Sequence, residues 1–367
     1  EQFSFQSFVY KAIGYGIKAK SVDGNNVLDV YNAVSDIAEE IREKPGAYIL
    51  ECNTFRMRGH EEASGTKYYP EGLQEKWAQK DPVENYRAFL IEKGILLPKD
   101  NDALTASLKK EIDDAFDKAM AAPDITFDEQ TEKADLFYQK EIECVEPASE
   151  SKEIRLVDAV RDGLLEGMRR HKNLVLMGQD IAEYGGVFKV TDGFVAEFGK
   201  DRVRNTPLCE AAIVGTALGL SIRGYKAVME MQFADFVTEG FNQIVNNLAK
   251  IHWRWGQNAD VVIRMPTGAG VGAGPFHSQS NEAWFTHTAG LKVVYPAFPE
   301  DAKGLLLSAI EDPNPVMFFE HKALYRSITG PVPEGYYNLP FGKASLVKEG
   351  EQLSIITYGM GVHWALE

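Results

Sequence analysis

The sequence predicts an α/β protein in which parallel sheets are flanked by helices and two α/β units are joined by a linker. Uninterrupted apolar runs of strand length alternate with helical segments along residues 154–345, which is typical of a mostly parallel sheet covered on both faces. A shorter helix and strand of the same kind stand near the beginning of the chain, before a charged segment. At about 150 residues per domain, 367 residues suffice for two or three domains.

The first predicted unit covers residues 1–120. Apolar residues recur at helical spacing over 27–41, after a turn at 23–26 that supplies a cap. The apolar run at 47–52 predicts a buried strand. A long polar loop is expected over 54–70.

The composition changes after residue 102. A charged helical segment runs to about residue 121, and an acidic, weakly periodic segment follows Pro123. We therefore expect a connector over 121–153, although a solvated helix explains the same charges equally well.

The second predicted unit covers residues 154–345. Strands are predicted at 174–177, 227–231, 261–265, 292–295 and 316–319. Helices are predicted at 211–222, 241–251 and 301–310. Residues 346–367, with a last apolar run at 353–358, are expected to begin a further domain.

Composition and charge exclude several classes of protein. The chain is 44% hydrophobic and 25% charged, as in ordinary globular proteins. Its net charge of -15 opposes the basic face that nucleic-acid binding requires. No apolar run approaches the roughly 18 residues of a spanning helix, and no signal peptide is recognisable, so we expect a cytoplasmic protein without membrane partners. Three widely spaced cysteines indicate neither a disulfide framework nor a CxxC metal site.

Glu210 is the first candidate site residue, at the start of a predicted apolar helix. An acid that complements the helix dipole is the simpler interpretation. A carboxyl beside Leu208, Ala211 and Ile213 is alternatively suited to share a proton with a ring nitrogen.

His277 follows a run in which glycine occupies every second position from Gly268 to Gly274. The spacing is not the GxGxxG fingerprint, and a loop rather than a helix is predicted after it. The run makes the backbone permissive after a buried strand. A loop that carries His277 to a site at the sheet edge and a plain glycine-rich connector are equally compatible with it.

His60 lies in a loop with Arg56, Arg58 and Lys67. Such a cationic cluster can hold an anion such as a phosphate, although a solvated basic loop is the simpler interpretation. Ser64 stands where a zinc-protease HExxH motif needs its second histidine, so metal catalysis is not predicted there.

Ordered motifs extend over nearly the whole chain. The first part carries GYGI at 14–17, VDGNNV at 22–27, TFRMRGH at 54–60 and DPV at 81–83. The second part carries YGGVFK at 184–189, NTPLCE at 205–210, QFADF at 232–236, HSQS at 277–280 and GLKVV at 290–294. The chain thereby resembles the thiamine-diphosphate-dependent decarboxylating component of the 2-oxoacid dehydrogenase complexes. The first part is similar to the second half of its α subunit and the second part to the first domain of its β subunit, which implies a fused chain with a thiamine-diphosphate-binding fold.

The resemblance implies roles for the candidate residues. Glu210 would share a proton with the aminopyrimidine nitrogen of thiamine diphosphate and so activate the cofactor. His277 matches the β-subunit histidine implicated in lipoyl acylation, and His60 matches the α-subunit histidine near the diphosphate and the reacting centre. Phe236 occupies the position of an aromatic residue beside the cofactor. Arg56, in the loop of His60, is expected to contact the diphosphate.

The resemblance also implies two metal ions. A monovalent cation, taken to be K⁺, would be bound at Val261, Ala309, Ile310, Asp312 and Asn314, with a plain Asp-Pro turn as the alternative. Mg²⁺ is implied as well, but the GDG motif and the downstream Asn that ligate it are not in this sequence. Gln179 stands where the family usually has an acidic residue, which alters one local contact.

The implied reaction is the oxidative decarboxylation of a 2-oxoacid, with acyl transfer to lipoyl-lysine on a dihydrolipoyl transacylase partner. QFADF at 232–236 and the segment 305–312 look closer to branched-chain members, with pyruvate and acetoin as alternatives. A homodimer or higher homo-oligomer is expected, because the family's cofactor lies between α and β parts. The chain begins and ends in mid-pattern, so we expect the middle of a longer protein. An inactive fragment or assembly subunit is the alternative from a different class.

Overall fold

The computed structural model describes residues 3–61 and 63–367, which divide into two units, Glu1–Ile125 and Thr126–Glu367. The predicted domain limits 1–120, 121–153, 154–345 and 346–367 stay predictions. In chain order, the first unit contains α1 (Val9–Tyr15), β1 (Lys18–Asp23), α2 (Val27–Glu43), β2 (Tyr48–Asn53), α3 (Leu73–Ala78), α4 (Pro82–Glu92) and α5 (Pro98–Met120).

The first unit is built on a parallel pair of strands, β1 and β2, which α2 connects. Asn26 begins α2 because its Oδ1 accepts hydrogen bonds from the backbone N–H groups of Leu28 and Asp29, at 3.1 and 3.4 Å. Gly24 packs so closely that a Cβ there would lie 2.9 Å from the carbonyl oxygen of Asn53. The helix predicted over 27–41 and the strand predicted over 47–52 are confirmed.

The second unit contains seventeen of the labelled elements. They are α6 (Glu129–Asp135), β3 (Ser151–Arg155), α7 (Leu156–Arg170), β4 (Leu174–Gly178), α8 (Phe194–Phe198), β5 (Val203–Asn205), α9 (Glu210–Ile222), β6 (Lys226–Glu230), α10 (Ile251–Trp255), β7 (Val261–Thr267), α11 (Glu282–Thr286), β8 (Lys292–Val294), α12 (Pro299–Glu311), β9 (Val316–His321), α13 (Leu324–Ser327), β10 (Thr329–Pro333) and α14 (Met360–Leu366). A 3₁₀ helix at Ala234–Gly240 and a π-helix at Gln243–Leu248 follow β6.

A parallel sheet of six strands, in the order β5-β4-β6-β7-β9-β8, forms the centre of the second unit. Its strands consist of apolar runs because helices cover both faces. One buried cluster joins the sheet to α7 and α12, and the other joins it to α9 and the π-helix. The predicted α/β class and all five predicted strands of this unit are confirmed, with limits shifted by a few residues.

The polar segment before β3 is attached to the second unit. The backbone N–H of Tyr138 donates to Asn314 Oδ1 at 2.7 Å, and that of Val145 donates to Asn338 Oδ1 at 2.7 Å. Residues 138–150 form no helix or strand, and these two side-chain amides accept backbone hydrogen bonds that secondary structure would otherwise satisfy.

Two predicted elements differ from the structure. The helix predicted over 241–251 is interrupted by the π-helix, in which the hydrogen-bond ladder takes an extra residue. The apolar run at 353–358 forms neither helix nor strand, and Ile356 is almost fully exposed. In the described part of the chain, no helix combines the length and apolar character needed to cross a bilayer.

Candidate active site

The carboxyl ends of the central parallel strands bring four segments to one edge of the sheet. Gln179 follows β4, the turn at 232–236 follows β6, the glycine-rich segment with His277 follows β7, and Lys322 follows β9. In open parallel sheets this edge is where ligands bind.

Glu210 is the first residue of α9, and its side chain is held by Gln179. Gln179 Nε2 donates to Glu210 Oε1 at 3.0 Å, and Gln179 itself is only 5% exposed. The oxygen of the same amide, Gln179 Oε1, and the nearby Thr206 Oγ1 are buried without hydrogen-bond partners among the described residues. A polar ligand edge would satisfy them, because buried polar groups are normally paired.

The apolar neighbourhood expected around Glu210 is only partly formed. Leu208 is 82% exposed, whereas Ile213 is buried. Leu208 therefore contributes little to an apolar environment within this chain.

Phe236, in the 3₁₀ helix that begins at Ala234, contacts His277. Their rings are 5.4 Å apart in a T-shaped arrangement, and Phe233 lies 4.8 Å from the same imidazole. At the other end of this 3₁₀ helix, a Cβ on Gly240 would lie 3.4 Å from the carbonyl oxygen of Glu210. The turn after β6 therefore connects the surroundings of Glu210 to those of His277, as the predicted loop at the sheet edge requires.

Lys322 is a residue of this edge that the sequence reasoning missed. Its Nζ lies 5.3 Å from the centre of the Phe233 ring and 3.4 Å from the carbonyl oxygen of Pro266. Burial lowers the pKa of Lys322 to about 8, against the opposing effect of the Asp235 carboxylate. A lysine directly after an apolar strand was the signal that could have found it.

A buried ionic cluster lies at the ends of the three central strands. Arg264 of β7 donates to Glu230 of β6 at 2.7 Å and to both oxygens of Glu320 of β9, at 2.7 and 2.8 Å. The Tyr325 hydroxyl donates to Glu320 Oε2 at 2.6 Å. Burial raises the pKa of Glu230 above its usual value, with Arg264 opposing it. The cluster ties the strands together where the site segments leave them.

Arg56 and His60 belong to the first unit, in an exposed loop after β2. The loop backbone is fixed by Tyr69, whose hydroxyl lies 3.0 Å from the carbonyl oxygens of both Arg56 and Arg58. Gln74 Nε2 also donates to the Met57 carbonyl at 2.8 Å. Arg56, Arg58 and His60 are all exposed on this loop, and the anion site expected there stays a prediction.

The residues of the expected cation site gather at the end of α12. The carbonyls of Ala309 and Ile310 are buried and lack their helical donors, because residue 313 is proline and the N–H of Asn314 donates to Asp312 Oδ1 at 2.9 Å. The Pro313 carbonyl accepts from the N–H of Ala259, which brings the segment leading to Val261 beside this turn.

The side chains at this turn already have partners. Lys292 Nζ donates to Asp312 Oδ2 at 2.5 Å, and Asn314 Oδ1 accepts from Tyr138. The carbonyls of Ala309 and Ile310, which lack helical donors, are therefore the remaining candidates for cation ligands, and the cation site stays a prediction. Across residues 3–61 and 63–367, no group of three or more His, Cys, Asp or Glu side chains is arranged to hold a metal ion.

Comparison with known families matches both units. The family model of the dehydrogenase E1 component matches residues 1–127, and that of the transketolase pyrimidine-binding domain matches residues 152–327. The second match covers the six-stranded sheet and the edge with Glu210, Phe236 and His277, and it agrees with the predicted thiamine-diphosphate-binding fold. A solved split-gene transketolase chain, an inactive beta4 tetramer, is 24% identical with a TM-score of 0.37, over 45% of this chain and 50% of that one.

Several curated proteins are similar to more than half of the chain. The 2-oxoisovalerate dehydrogenase subunit beta of Bacillus subtilis is 46% identical over 213 residues, 58% of this chain and 65% of that protein. The mitochondrial counterpart of Dictyostelium discoideum is 45% identical, over 59% of each chain. The pyruvate dehydrogenase E1 component subunit beta of Bacillus subtilis is 43% identical, over 59% of this chain and 67% of that protein. The chain thus spans less than two thirds of the first two relatives.

Proposed function

Because the chain belongs to the family of 2-oxoacid dehydrogenase E1 components, we propose that it takes part in the oxidative decarboxylation of a 2-oxoacid with acyl transfer to a lipoyl-lysine. The observation that carries the proposal is the sheet edge, where the 3₁₀ helix Ala234–Gly240 has at one end the helix start with Glu210, whose carboxyl is bound by a buried amide, and at the other end His277, which packs against two phenylalanine rings. The family is thiamine-diphosphate-dependent, and that cofactor is proposed for this chain.

We propose further that the chain joins an α-like and a β-like part. The two family matches lie one after the other, over 1–127 and 152–327, which supports a fusion. The curated relatives named above are beta subunits, and each matches 58% or 59% of this chain.

The proposed roles follow from the chemistry of each side chain. When bound, thiamine diphosphate supplies a carbon nucleophile and an electron sink for the loss of CO₂. Glu210 holds a proton at the cofactor's pyrimidine nitrogen, and Gln179 orients the carboxyl for this task. Phe236 packs beside the ring, and His277 moves a proton during acyl transfer. Arg56 and His60 bind and neutralise the diphosphate.

K⁺ is proposed at the end of α12. The buried carbonyls of Ala309 and Ile310 would ligate it, with Asp312 and Asn314 shaping the turn and Val261 in the adjoining strand. In this proposal K⁺ stabilises the fold and takes no part in the chemistry, since its ligands lie at the end of α12 and not in the segments that carry Glu210 and His277. Mg²⁺ is expected with the diphosphate.

A branched-chain 2-oxoacid is the proposed substrate. The identity of 46% to a 2-oxoisovalerate dehydrogenase subunit against 43% to a pyruvate dehydrogenase subunit favours it only slightly. Pyruvate or acetoin is the alternative, because one methylene in a pocket changes discrimination by about 1–3 kcal/mol. The proposed partners are a lipoyl-bearing dihydrolipoyl transacylase and a second copy of the chain. The cytoplasmic location stays a prediction.

The experiment is a dye-reduction assay with the full-length protein. We expect reduction that requires both thiamine diphosphate and a 2-oxoacid, with a higher kcat/KM for 3-methyl-2-oxobutanoate than for pyruvate. A higher value for pyruvate or acetoin would move the substrate assignment to that alternative. A folded protein that reduces no dye with any of them would favour the inactive assembly subunit instead.

A further inference from the structure

His277 is reached from β7 by a glycine-rich segment whose backbone is intrinsically permissive. From Gly268 to Gly274 the chain forms no helix or strand, and the four glycines at alternate positions have φ between 69° and 109°. Glycine has the least restricted backbone of all residues, so this arm alone does not fix the imidazole. The ends of the arm are attached to the residues after His277, because the N–H of Gly268 donates to the carbonyl oxygen of Gln279 at 2.9 Å and Ser278 Oγ donates to that of Gly274 at 2.8 Å. The turn after β6 adds further restraints.

Asp235 supplies a restraint immediately after His277. A single carboxylate oxygen, Asp235 Oδ1, accepts hydrogen bonds from the backbone N–H groups of Ser278 at 3.1 Å and Gln279 at 3.0 Å. Asp235 is only 5% exposed, so water competes poorly for these bonds. A charged acceptor also makes them stronger than bonds between neutral groups.

The turn that contains Asp235 contacts the same loop in other ways. The rings of Phe233 and Phe236 both pack against the His277 ring in T-shaped contacts, at 4.8 and 5.4 Å. Asn281 Nδ2 donates to the carbonyl oxygen of Ala234 at 2.9 Å, which attaches the far end of the loop. The turn after β6 thus fixes both the ring and the backbone of the His277 loop, and Asp235 is its charged member.

We propose that Asp235 is a positioning residue that holds the His277 loop in place for acyl transfer to the lipoyl group. The inference rests on the proposed function. Asp235 acts through the Ser278 and Gln279 amides, so its removal leaves Glu210 and its Gln179 partner intact. The step that depends on His277 should therefore suffer more than decarboxylation.

Hydrogen exchange of the full-length protein tests the clamp without substrate or cofactor. In the native protein, we expect the amides of Ser278 and Gln279 to exchange at least tenfold more slowly than those over 269–273. Asp235→Ala should remove this protection, and Asp235→Asn, which keeps an oxygen acceptor, should retain most of it. Glu239→Ala, an exposed acid of the same 3₁₀ helix, is the matched control and should change nothing. Equal exchange in the native protein and Asp235→Ala would overturn the inference, as would unprotected amides in the native protein.

The two half-reactions give the second measurement. In Asp235→Ala we expect acylation of a lipoyl domain to fall at least tenfold, while 2-oxoacid-dependent dye reduction falls less than threefold. Asp235→Asn should recover most of the acylation rate. Equal losses in both assays would contradict a role through His277. A native protein inactive in both assays would contradict the proposed function, and the exchange measurement would still decide whether Asp235 clamps the loop.

Discussion

Single residues of the candidate site are linked by contacts between distant positions. Gln179 and Glu210 are 31 residues apart in the sequence, and a hydrogen bond of 3.0 Å joins them. A hydrogen bond to a charged group contributes about 1.5–3 kcal/mol. Gln179→Leu keeps a similar volume and removes the donor, so the dye-reduction rate should fall by about tenfold to a hundredfold.

The rate of Gln179→Leu would be compared with that of Gln139→Leu, a change at an exposed glutamine of the same unit. An unaltered rate in Gln179→Leu would show that Glu210 needs no support from this amide. If Gln179→Leu loses rate and also melts at a lower temperature, the unfolding free energies of the two variants show how much of the lost rate comes from unfolded protein.

Only part of the site was predictable at this scale. Glu210, Phe236 and His277 could be proposed from the sequence because each belongs to a motif of contiguous residues. Asp235 and Lys322 were not singled out, because their importance lies in hydrogen bonds and burial that arise only when β6, β7 and β9 align. A resemblance to a family assigns roles to single positions. It does not show that Gln179 contacts Glu210, because that contact forms only in the folded structure.

Helices α7 and α12 are joined at their ends by one carboxylate. Glu311 Oε1 accepts from His171 Nε2 and from the Tyr336 hydroxyl, both at 2.8 Å, and from Arg170 Nε at 3.2 Å. Burial raises the pKa of Glu311, but the hydrogen bonds from His171 and Tyr336 outweigh it and lower this pKa to about 2, from its usual 4.5. A lowered folded-state pKa gives stability that is present above pH 4.5 and is lost as the pH falls toward 2.

Urea denaturation at several pH values tests this link. Glu311→Gln should lower the free energy of unfolding by up to about 3 kcal/mol at pH 6, at 1.36 kcal/mol per unit of pKa. The difference from the native protein should shrink between pH 4.5 and pH 2. A difference that stays constant over this range would mean that the Glu311 charge does not stabilise the helix ends.

Helices and strands could be predicted from the sequence where a single local pattern determines them. The central strands were predicted because each is an apolar run buried on both faces. The antiparallel pair of β3 and β10 was missed because its strands are far apart in sequence and β10 contains two prolines, Pro331 and Pro333. The run at 353–358 looks like a buried strand, but it has no strand partner among the described residues and stays largely exposed.

At the scale of the whole molecule, the two units correspond to two family matches. The E1 component match ends at residue 127, and the pyrimidine-binding match begins at residue 152. The unit boundary between Ile125 and Thr126 lies beside the first of these limits. Composition suggested two units, and the order of the motifs indicated which family each unit resembles. The sheet order and the common edge of the four site segments required the structure, since they depend on which strands pair.

The central claim is that the Glu210 carboxyl takes part in the chemistry at this edge. The most direct measurement is the 2-oxoacid-dependent dye reduction of the full-length Glu210→Gln variant. Glu239→Gln, which makes the same change at an exposed position, is the control. We predict that Glu210→Gln folds with an unchanged circular dichroism spectrum and loses at least a hundredfold in rate, because general acid–base groups contribute about 10²–10⁴-fold. A folded Glu210→Gln variant that reduces the dye as fast as Glu239→Gln would contradict the claim.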